Sequence, residues 1–545
     1  MKRTGAKDHP GTHTSGAEVP AASAVPAEVE LKLQIAPDDV PRLLRHRLLA
    51  SQAQGRPRKQ SLLNVYYDSV DLRLNKQRVA LRLRRIGKRW IQTIKGEGRV
   101  AGGLHERPEW ETETTEGVLR FDGLPEGALQ HLFAQPGLQQ ALQPMFTVEF
   151  SRSLLDLHWA GGDHIELALD RGRIRADGRA EMLCELELEL KSGSRARLFA
   201  LARTLQKSVP LRLSNVSKAE RGYRLISGDA LKPQKAVFAG PEEGGSAGEL
   251  CQAVLTHGLA HLQANEEGVR RDEAPEFVHQ TRVATRRLRS ALKVFSLLLP
   301  ADKEELWREE LRWLCNSLDG ARNWDVFVAR TLPAVCAALP QEPALEWLSM
   351  QAAEERGSQR ERARAALESS RYQALLLELG AWLAVPRWQA PAGSGLDKDM
   401  PVVAFGARVL SKGHRKLKKS ARELLAMDTN ERHQVRISAK KLRYAAEFFA
   451  PCFPGRRTRR YMDALENLQD VLGDLNDEAT TAMLMQQLSG RTREASEQRA
   501  CGMVLGWVSG LALERLPEAK KAWKGYLERK PFWPDYKNKT DEGDS

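Results

Sequence analysis

From residue 27 to about 226, apolar and polar positions alternate in short runs. The period of two recurs in "EVELKLQI" (28–35), "VALRLRRI" (79–86), "RWIQTIKG" (89–96), "HIELALD" (164–170), "CELELEL" (184–190) and "VPLRLSNVSK" (209–218). Runs of this kind, broken by Gly-rich or Asp-containing turns, predict a mainly antiparallel sheet or barrel. Helical patterns intervene near 37–53 and 194–208. From about 249 onward apolar residues recur at three- and four-residue spacing, which predicts helices almost throughout.

The helical part contains an internal repeat. "HQTRVATRRLRSALKVF" begins at His279 and "HQVRISAKKLRYAAEFF" at His433, 154 residues later. "LDGARNWD" from Leu318 and "LGDLNDEA" from Leu472 keep that offset and read as helix-ending turns. "VLTHGLAHL" from Val254 and "VLSKGHRKL" from Val409 precede them in the same order. Matches in one order predict two copies of an antiparallel helical unit. The expected organisation is a disordered leader (1–26), a β domain (27–226), a Gly/Pro/Glu-rich linker (227–248), a helical domain (249–532) and a flexible tail (533–545). The helical domain divides into repeats of about 249–386 and 402–532, separated by "RWQAPAGSGLDKDMP". The fold class is therefore α+β.

Composition adds bounds more than identity. The 545 residues are 42% apolar and 28% charged, with a net charge of +13. That excess favours an anionic partner. Six scattered cysteines without Cys-x-x-Cys spacing predict reduced thiols and a cytoplasmic location, with neither a disulfide framework nor a zinc site. No apolar run reaches membrane-spanning length, and the leader lacks the apolar core of a signal peptide. Oligomeric state is not written in the pattern.

The strands carry unusual charge. On a strand, Glu28, Glu30 and Lys32 share one face at successive spacings of about 6.5–7 Å. Arg82 and Arg84 share another face, as do Glu185, Glu187 and Glu189, while the intervening leucines point the opposite way. Lys95, Glu166, Asp170, Lys218 and Arg221 extend the charged set. Two arrangements fit: a charged face meeting water on an open sheet, or a closed barrel with its charges inside. Whole strands of one sign and a regular apolar face favour the closed form, and eight strands leave room for one small ligand. Clustered carboxylates call for a hard divalent cation such as Mg²⁺ or Mn²⁺. Clustered Arg and Lys call for phosphate oxygens.

"EVELK" matches the Glu-x-Glu-x-Lys signature of the CYTH superfamily, the triphosphate tunnel metalloenzymes. "NVYYDS", "LRLR", "QTIKGEGRVAGGLHERPEW", "IELALDRG", "CELELEL" and "SKAERGY" follow in order and resemble its bacterial inorganic triphosphatase branch. The helical half resembles the CHAD domain. This resemblance implies an antiparallel eight-stranded tunnel with flanking helices that hydrolyses a triphosphate with divalent metal. It places metal on Glu28, Glu30, Asp170 and some of Glu185, Glu187 and Glu189. Phosphate oxygens fall to Lys32, Arg82, Arg84, Lys95 and Arg152, with Lys218 near the scissile end, and Lys32 and Lys218 are the expected catalytic pair. His105, Arg107 and Glu109 match the family too, as tunnel lining or as strand-end packing. One departure surrounds Arg152, where "SRSLLDL" stands in place of the usual polar residues and tryptophan. No Ser, Cys or His sits in a nucleophilic arrangement, so direct attack by water is expected. Thiamine triphosphatase, adenylate cyclase and a catalytically weak polyphosphate-binding scaffold are the alternatives.

On the helices, His279, Arg282, Arg286 and Arg289 fall within about an 80° arc over about 15 Å. His433, Arg436, Lys440 and Arg443 repeat the arrangement. Arg408, Lys412, Arg415, Lys419 and Arg422 form a third stripe. A basic stripe is commonly a solvated face. Its duplication instead fits a groove for a long polyanion, and CHAD resemblance implies inorganic polyphosphate. Few interleaved aromatics argue against single-stranded nucleic acid. Metal at the paired histidines lacks acidic or Cys neighbours at ligand spacing.

Overall fold

The computed structural model describes residues 27–534 apart from 125–126, 229, 239, 241–244, 387, 389–397 and 425. The expected leader, the centre of the 387–401 interruption and nearly all of the expected tail lie outside the described residues. Ten strands form in chain order: β1 (Ala27–Ile35), β2 (Arg58–Asp68), β3 (Ala80–Ile86), β4 (Arg89–Lys95), β5 (Arg99–Ala101), β6 (Leu104–Thr114), β7 (Gln143–His158), β8 (His164–Ala176), β9 (Arg179–Ser192) and β10 (Leu211–Leu213). Eight of them run β1-β9-β8-β7-β2-β3-β4-β6, and β6 pairs back onto β1, closing an antiparallel barrel. The short β5 and β10 add to β6 and β1. Closure removes the exposed edges that an open sheet of this size would present.

Register follows from turn chemistry. Asp177 and Gly178 both have positive φ, at 46° and 73°, in the two-residue turn joining β8 to β9. Such Asp-Gly turns match the twist of the flanking strands. The turn pairs Ala176 with Arg179 and, along the hairpin, Asp170 with Glu185. The leucines of "ELKLQI", "IELAL" and "ELELEL" point outward. Leu31, Leu33, Leu167, Leu169, Leu186 and Leu188 are each at most 2% exposed and pack against surrounding helices. The alternating acids and bases are thereby turned into the barrel.

The bundle runs through helices Ala247–Arg270, Pro275–Val294, Ala301–Val326, Ala344–Glu368 and Ser370–Ala384, then Val402–Ser420, Thr429–Phe449, Arg456–Ser489 and Ala495–Leu527. "LDGARNWD" and "LGDLNDEA" are corrections: both lie inside long helices rather than ending them. Gly320 within the first leaves room for the Gln359 side chain, where a Cβ would meet Oε1 at 2.2 Å. Packing therefore overrides the local breaking signal. The bundle's core reaches Trp533, which is buried and donates to Ser411 Oγ at 2.9 Å. None of the six cysteines is in a disulfide, and among the described residues no helix is long and apolar enough to cross a membrane.

Barrel and bundle share one apolar core. Helix Arg195–Gln206 lies between them, with Phe199 so close to Gly380 that a Cβ there would come within 2.7 Å. Gln263 of the bundle accepts from Gly102 N at 3.0 Å and from Asn215 Nδ2 at 2.9 Å. Gln373 accepts from Leu213 N at 3.1 Å.

Candidate functional site

The barrel encloses a cavity of about 240 Å³. Seven carboxylates and eight Lys or Arg side chains line it, so neither sign dominates. Glu28, Glu30 and Lys32 from β1 share it with Arg82 and Arg84 from β3, Lys95 from β4, Arg152 from β7, Glu187 and Glu189 from β9, and Lys218. The first-strand glutamates and the paired arginines therefore converge. Register sets Lys32 opposite Glu187 and Glu30 opposite Glu189.

Lys218 is placed differently from the sequence expectation. "VPLRLSNVSK" forms a strand only over Leu211–Leu213, and Lys218 is the first residue of helix Lys218–Ser227. Ser217 and Glu220 close a reciprocal capping box there, which starts the helix and fixes the lysine's position. Its Nζ lies 2.7 Å from Asp170, 2.5 Å from Glu185 and 2.9 Å from Glu187.

Asp170 and Glu185 do not line the cavity; they lie behind its wall. Asp170 takes two guanidinium bonds from Arg152 at 2.7 and 2.6 Å, and Arg152 also reaches Glu187 at 2.6 Å. Oxygens of Asp170, Glu185 and Glu187 all lie within 4.8 Å of one another, close enough to share an ion. Burial alone would push the Asp170 and Glu187 carboxyls up. The ammonium of Lys218 and the guanidinium of Arg152 outweigh it at Asp170, and Lys218, Lys32 and Arg152 hold Glu187 well below the carboxylate range. Burial likewise opposes the charge on Lys32, but Glu187 and Glu30 hold its pKa well above the usual value.

The tunnel's other members are less evenly matched. Lys95 pairs with Glu28 and lies 3.4 Å from Glu109, and Arg82 lies 3.6 Å from Glu109. Among the described residues Arg84 has no carboxylate at ion-pairing distance; its Nε donates to Asn64 Oδ1 at 3.2 Å. Burial, with Arg82 and Arg152 beside it, brings the Arg84 guanidinium down to about 10. At the opposite wall, burial raises the Glu189 carboxyl despite Lys191, and Glu28 and Glu166 add to the push. Among the described residues Arg84 is thus left without a paired acid, whereas Glu189 is paired with Lys191 at 2.5 Å. Carboxylate oxygens fit a hard divalent ion, and Glu28, Glu30, Glu187 and Glu189, each paired with a Lys or Arg, face the cavity to hold one.

Glu111, Tyr66, Thr93, Lys191 and Ser217 also line the cavity, and the sequence reading did not include them. Glu111 was legible in "HERPEWETET", where acids fall on every second residue after Glu109. Tyr66 stacks on Phe146 at 4.6 Å, and its place facing the tunnel depends on long-range pairing. His105 is outside the lining: it is buried, its Nε2 lies 3.0 Å from Ser214 O, and burial next to Lys32 lowers its pKa to about 3. Asp68 of "NVYYDS" holds a turn, accepting from Ser69, Leu74 and Asn75 N–H groups and from Tyr223 Oη.

In the bundle, His279, Arg282, Arg286, His433, Arg436 and Lys440 come together around a cavity of about 500 Å³. Arg282 is paired with Asp319, whereas among the described residues Arg286, Arg436 and Lys440 have no carboxylate at ion-pairing distance. Burial and the neighbouring guanidiniums, first Arg286, bring Lys440 down to about 6 and Arg436 to about 10. Burial and Arg322 lower His279 to about 4. Arg289 and Arg443 do not line this cavity, and Arg443 is bound to Glu447 and Glu466. The third stripe is not brought here either: Arg408 and Lys412 border an apolar groove with Lys293 and Lys441.

Comparison with known proteins finds a CYTH domain over residues 26–223 and a CHAD domain over 253–486. Over 214 residues the chain is 34% identical to an inorganic triphosphatase of Haemophilus influenzae, a match covering 37% of this chain and 55% of that protein. The chain thus spans about half the length of that curated relative. It is also similar to the crystal structure of the CHAD domain from the plant Ricinus communis, at 31% identity and a TM-score of 0.48, covering 55% of this chain and 98% of that one. PptA from Streptomyces chartreusis is similar at 19% identity and a TM-score of 0.42, covering 51% of this chain and 100% of that one. The chain carries a CYTH domain in its barrel and a CHAD domain in its helical bundle.

Proposed function

We propose that the barrel hydrolyses inorganic triphosphate to diphosphate and phosphate with Mg²⁺ or Mn²⁺, and that the bundle binds inorganic polyphosphate. The observation carrying the first half is a single enclosed cavity in which carboxylates and phosphate-type cations face one another, with Arg84 left without an acidic partner. Arg82, Arg84, Lys95 and Arg152 grip the phosphate oxygens, bidentately where a guanidinium faces two of them. Lys32 and Lys218 are held charged by surrounding carboxylates, so they stabilise developing negative charge and do not act as bases.

Among the described residues the cavity has no His or Cys lining, Thr93 Oγ1 is committed to Glu111, and Ser217 caps a helix. No side chain is therefore activated as a nucleophile, and water attacks in line. A divalent ion held by Glu28, Glu30, Glu187 and Glu189 would supply Lewis acidity and lower the pKa of the attacking water. Among the described residues Tyr66 is the only aromatic lining the cavity, and one face of its ring is stacked on Phe146, which leaves little aromatic surface for a nucleobase or thiazole. Phosphate release from tripolyphosphate, thiamine triphosphate and ATP, each with and without EDTA, tests this. Tripolyphosphate is expected to be the preferred substrate, and faster turnover of either organic substrate overturns the assignment.

For the bundle, reversing charge at Arg286 and Lys440 together (R286E and K440E) is expected to weaken polyphosphate binding about ten- to a hundredfold and flatten its salt dependence. Tripolyphosphate hydrolysis should be unaltered. A second expectation follows from Lys440. With its pKa near 6 it is mostly neutral at physiological pH, and an arriving polyanion restores its charge. Binding should take up protons above about pH 6 and weaken as pH rises toward the bound pKa. Calorimetry in buffers of different ionisation enthalpy reads that uptake, and Lys440→Arg should remove it while retaining affinity.

A further inference from the structure

Between barrel and bundle lies a larger cavity, about 790 Å³. Its polar lining includes Arg42, Gln206, Lys207, Arg212, Arg221 and Arg270, and Glu368 is its one lining carboxylate among the described residues. Among the described residues Gln206 Nε2 and Arg270 Nε are buried and make no hydrogen bond, although Arg270 Nε lies 3.7 Å from Glu368 and Arg270 Nη1 donates to Glu267 at 2.7 Å. They come from different domains, one ending helix Arg195–Gln206 and the other ending helix Ala247–Arg270. Five basic side chains, Arg42, Lys207, Arg212, Arg221 and Arg270, against one carboxylate in the same lining call for a ligand rich in acceptor oxygens and negative charge.

Arg221 connects this cleft with the carboxylates behind the tunnel wall. Arg221 lines the cleft and approaches Glu185 Oε2 at 3.4 Å, while also pairing with Glu181 at 2.6 Å. Glu185 Oε1 accepts from Lys218, which lines the tunnel. The two oxygens of one carboxylate therefore serve two cavities. Drawing Arg221 toward an anion in the cleft leaves Glu185 to Lys218 alone.

We propose that the interdomain cleft is a second phosphate-anion site, taking orthophosphate or a short linear phosphate such as diphosphate, and that its occupancy is transmitted through Arg221 and Glu185 to Lys218. The coupling half rests on the tunnel being the hydrolytic site; the binding half does not. Both anions are products of the proposed reaction, so the coupling amounts to product inhibition from outside the tunnel.

Cys184 lines the same cleft and is half-buried, which makes it a local reporter. In the full-length protein, its alkylation by iodoacetamide at about pH 8.5 is followed by peptide mass spectrometry, with orthophosphate or diphosphate added separately. Slowing of at least about fivefold by either anion is expected, and the two arms decide which phosphate binds. Protection should persist in Arg84→Ala, which loses a tunnel phosphate contact. It should disappear in Lys207→Glu, an exposed rim change that the fold tolerates, and in Arg212→Gln. No protection by either anion, or protection that survives both cleft variants, overturns the site. Steady-state kinetics complete the test: a non-competitive component of phosphate inhibition should be present in wild type and absent from Lys207→Glu. Purely competitive inhibition in wild type overturns the coupling. Protection without any tripolyphosphate hydrolysis would instead count against the tunnel reading while leaving the site in place.

Discussion

Replacing Glu30 by Gln should lower Mg²⁺-dependent phosphate release from tripolyphosphate about 10³-fold, or about 4 kcal/mol of barrier. Glu30 is 5% exposed, faces the tunnel cavity and lies directly across from Glu189. Gln keeps its shape and one acceptor oxygen but removes a charge from the carboxylate set that faces the ion. The fold should survive, because Lys32, 2.7 Å from Glu30, retains its contact with Glu187. Polyphosphate binding by the bundle should be unchanged, since the His279–Lys440 cavity shares no residue with the tunnel. Equal hydrolysis by wild type and Glu30→Gln would move the activity out of the barrel and favour a polyphosphate-binding scaffold. Loss of hydrolysis together with loss of polyphosphate binding would mean that the variant is misfolded, which a thermal melt checks.

Much of the architecture was legible because the barrel is patterned at the shortest possible period. A strand written Glu-Leu-Glu-Leu-Glu-Leu has only two faces, and once Leu186 and Leu188 must be buried the glutamates have one direction left. The sequence could not say whether that direction was solvent or an interior. This depends on β6 returning to pair with β1, a contact between residues 75 positions apart in the case of Glu30 opposite His105. Helix boundaries were harder. Gly320 and Gly473 sit in stretches rich in Asp and Asn that locally favour turns, yet both are carried within helices by the packing around them.

The candidate site was legible where alternation carried it and obscure where a turn did. Arg82, Arg84, Glu187 and Glu189 follow directly from strand period and all face the cavity. Lys218 does not, because it enters from a helix N-terminus whose start is fixed by Ser217 and Glu220. The partition of carboxylates into those facing the cavity and those behind it could not be read either. Glu185, Glu187 and Glu189 are equivalent by alternation. Only the positions of Lys218 and Arg221, both on the helix that closes that end, make Glu185 a wall residue and Glu187 a lining one. In the bundle, stripe periodicity grouped Arg289 and Arg443 with their neighbours, whereas the interhelical geometry leaves both out of the cavity.

That partition carries a stability prediction. Asp170 is fully buried and holds two cations, Arg152 and Lys218. Asp170→Asn should cost on the order of 3 kcal/mol, since breaking a buried pair leaves charge uncompensated, and should lower the melting temperature by roughly 6–12 °C. The pH dependence has a definite sign. Lys218 and Arg152 hold the Asp170 carboxyl below its ordinary value against burial, which pushes the other way. Its contribution is therefore fully present above the unfolded carboxyl range, about pH 4, and is lost as pH falls through the depressed folded value. Wild type should show a steep acid transition and Asp170→Asn a shallower one, the two converging at the acid end. The metal separates two roles for this residue. If Asp170 serves mainly to hold Lys218 and Arg152, the loss in melting temperature is the same in Mg²⁺ and in EDTA. If it serves mainly as a ligand, the difference between wild type and variant shrinks in EDTA, because the wild type then lacks the same ion.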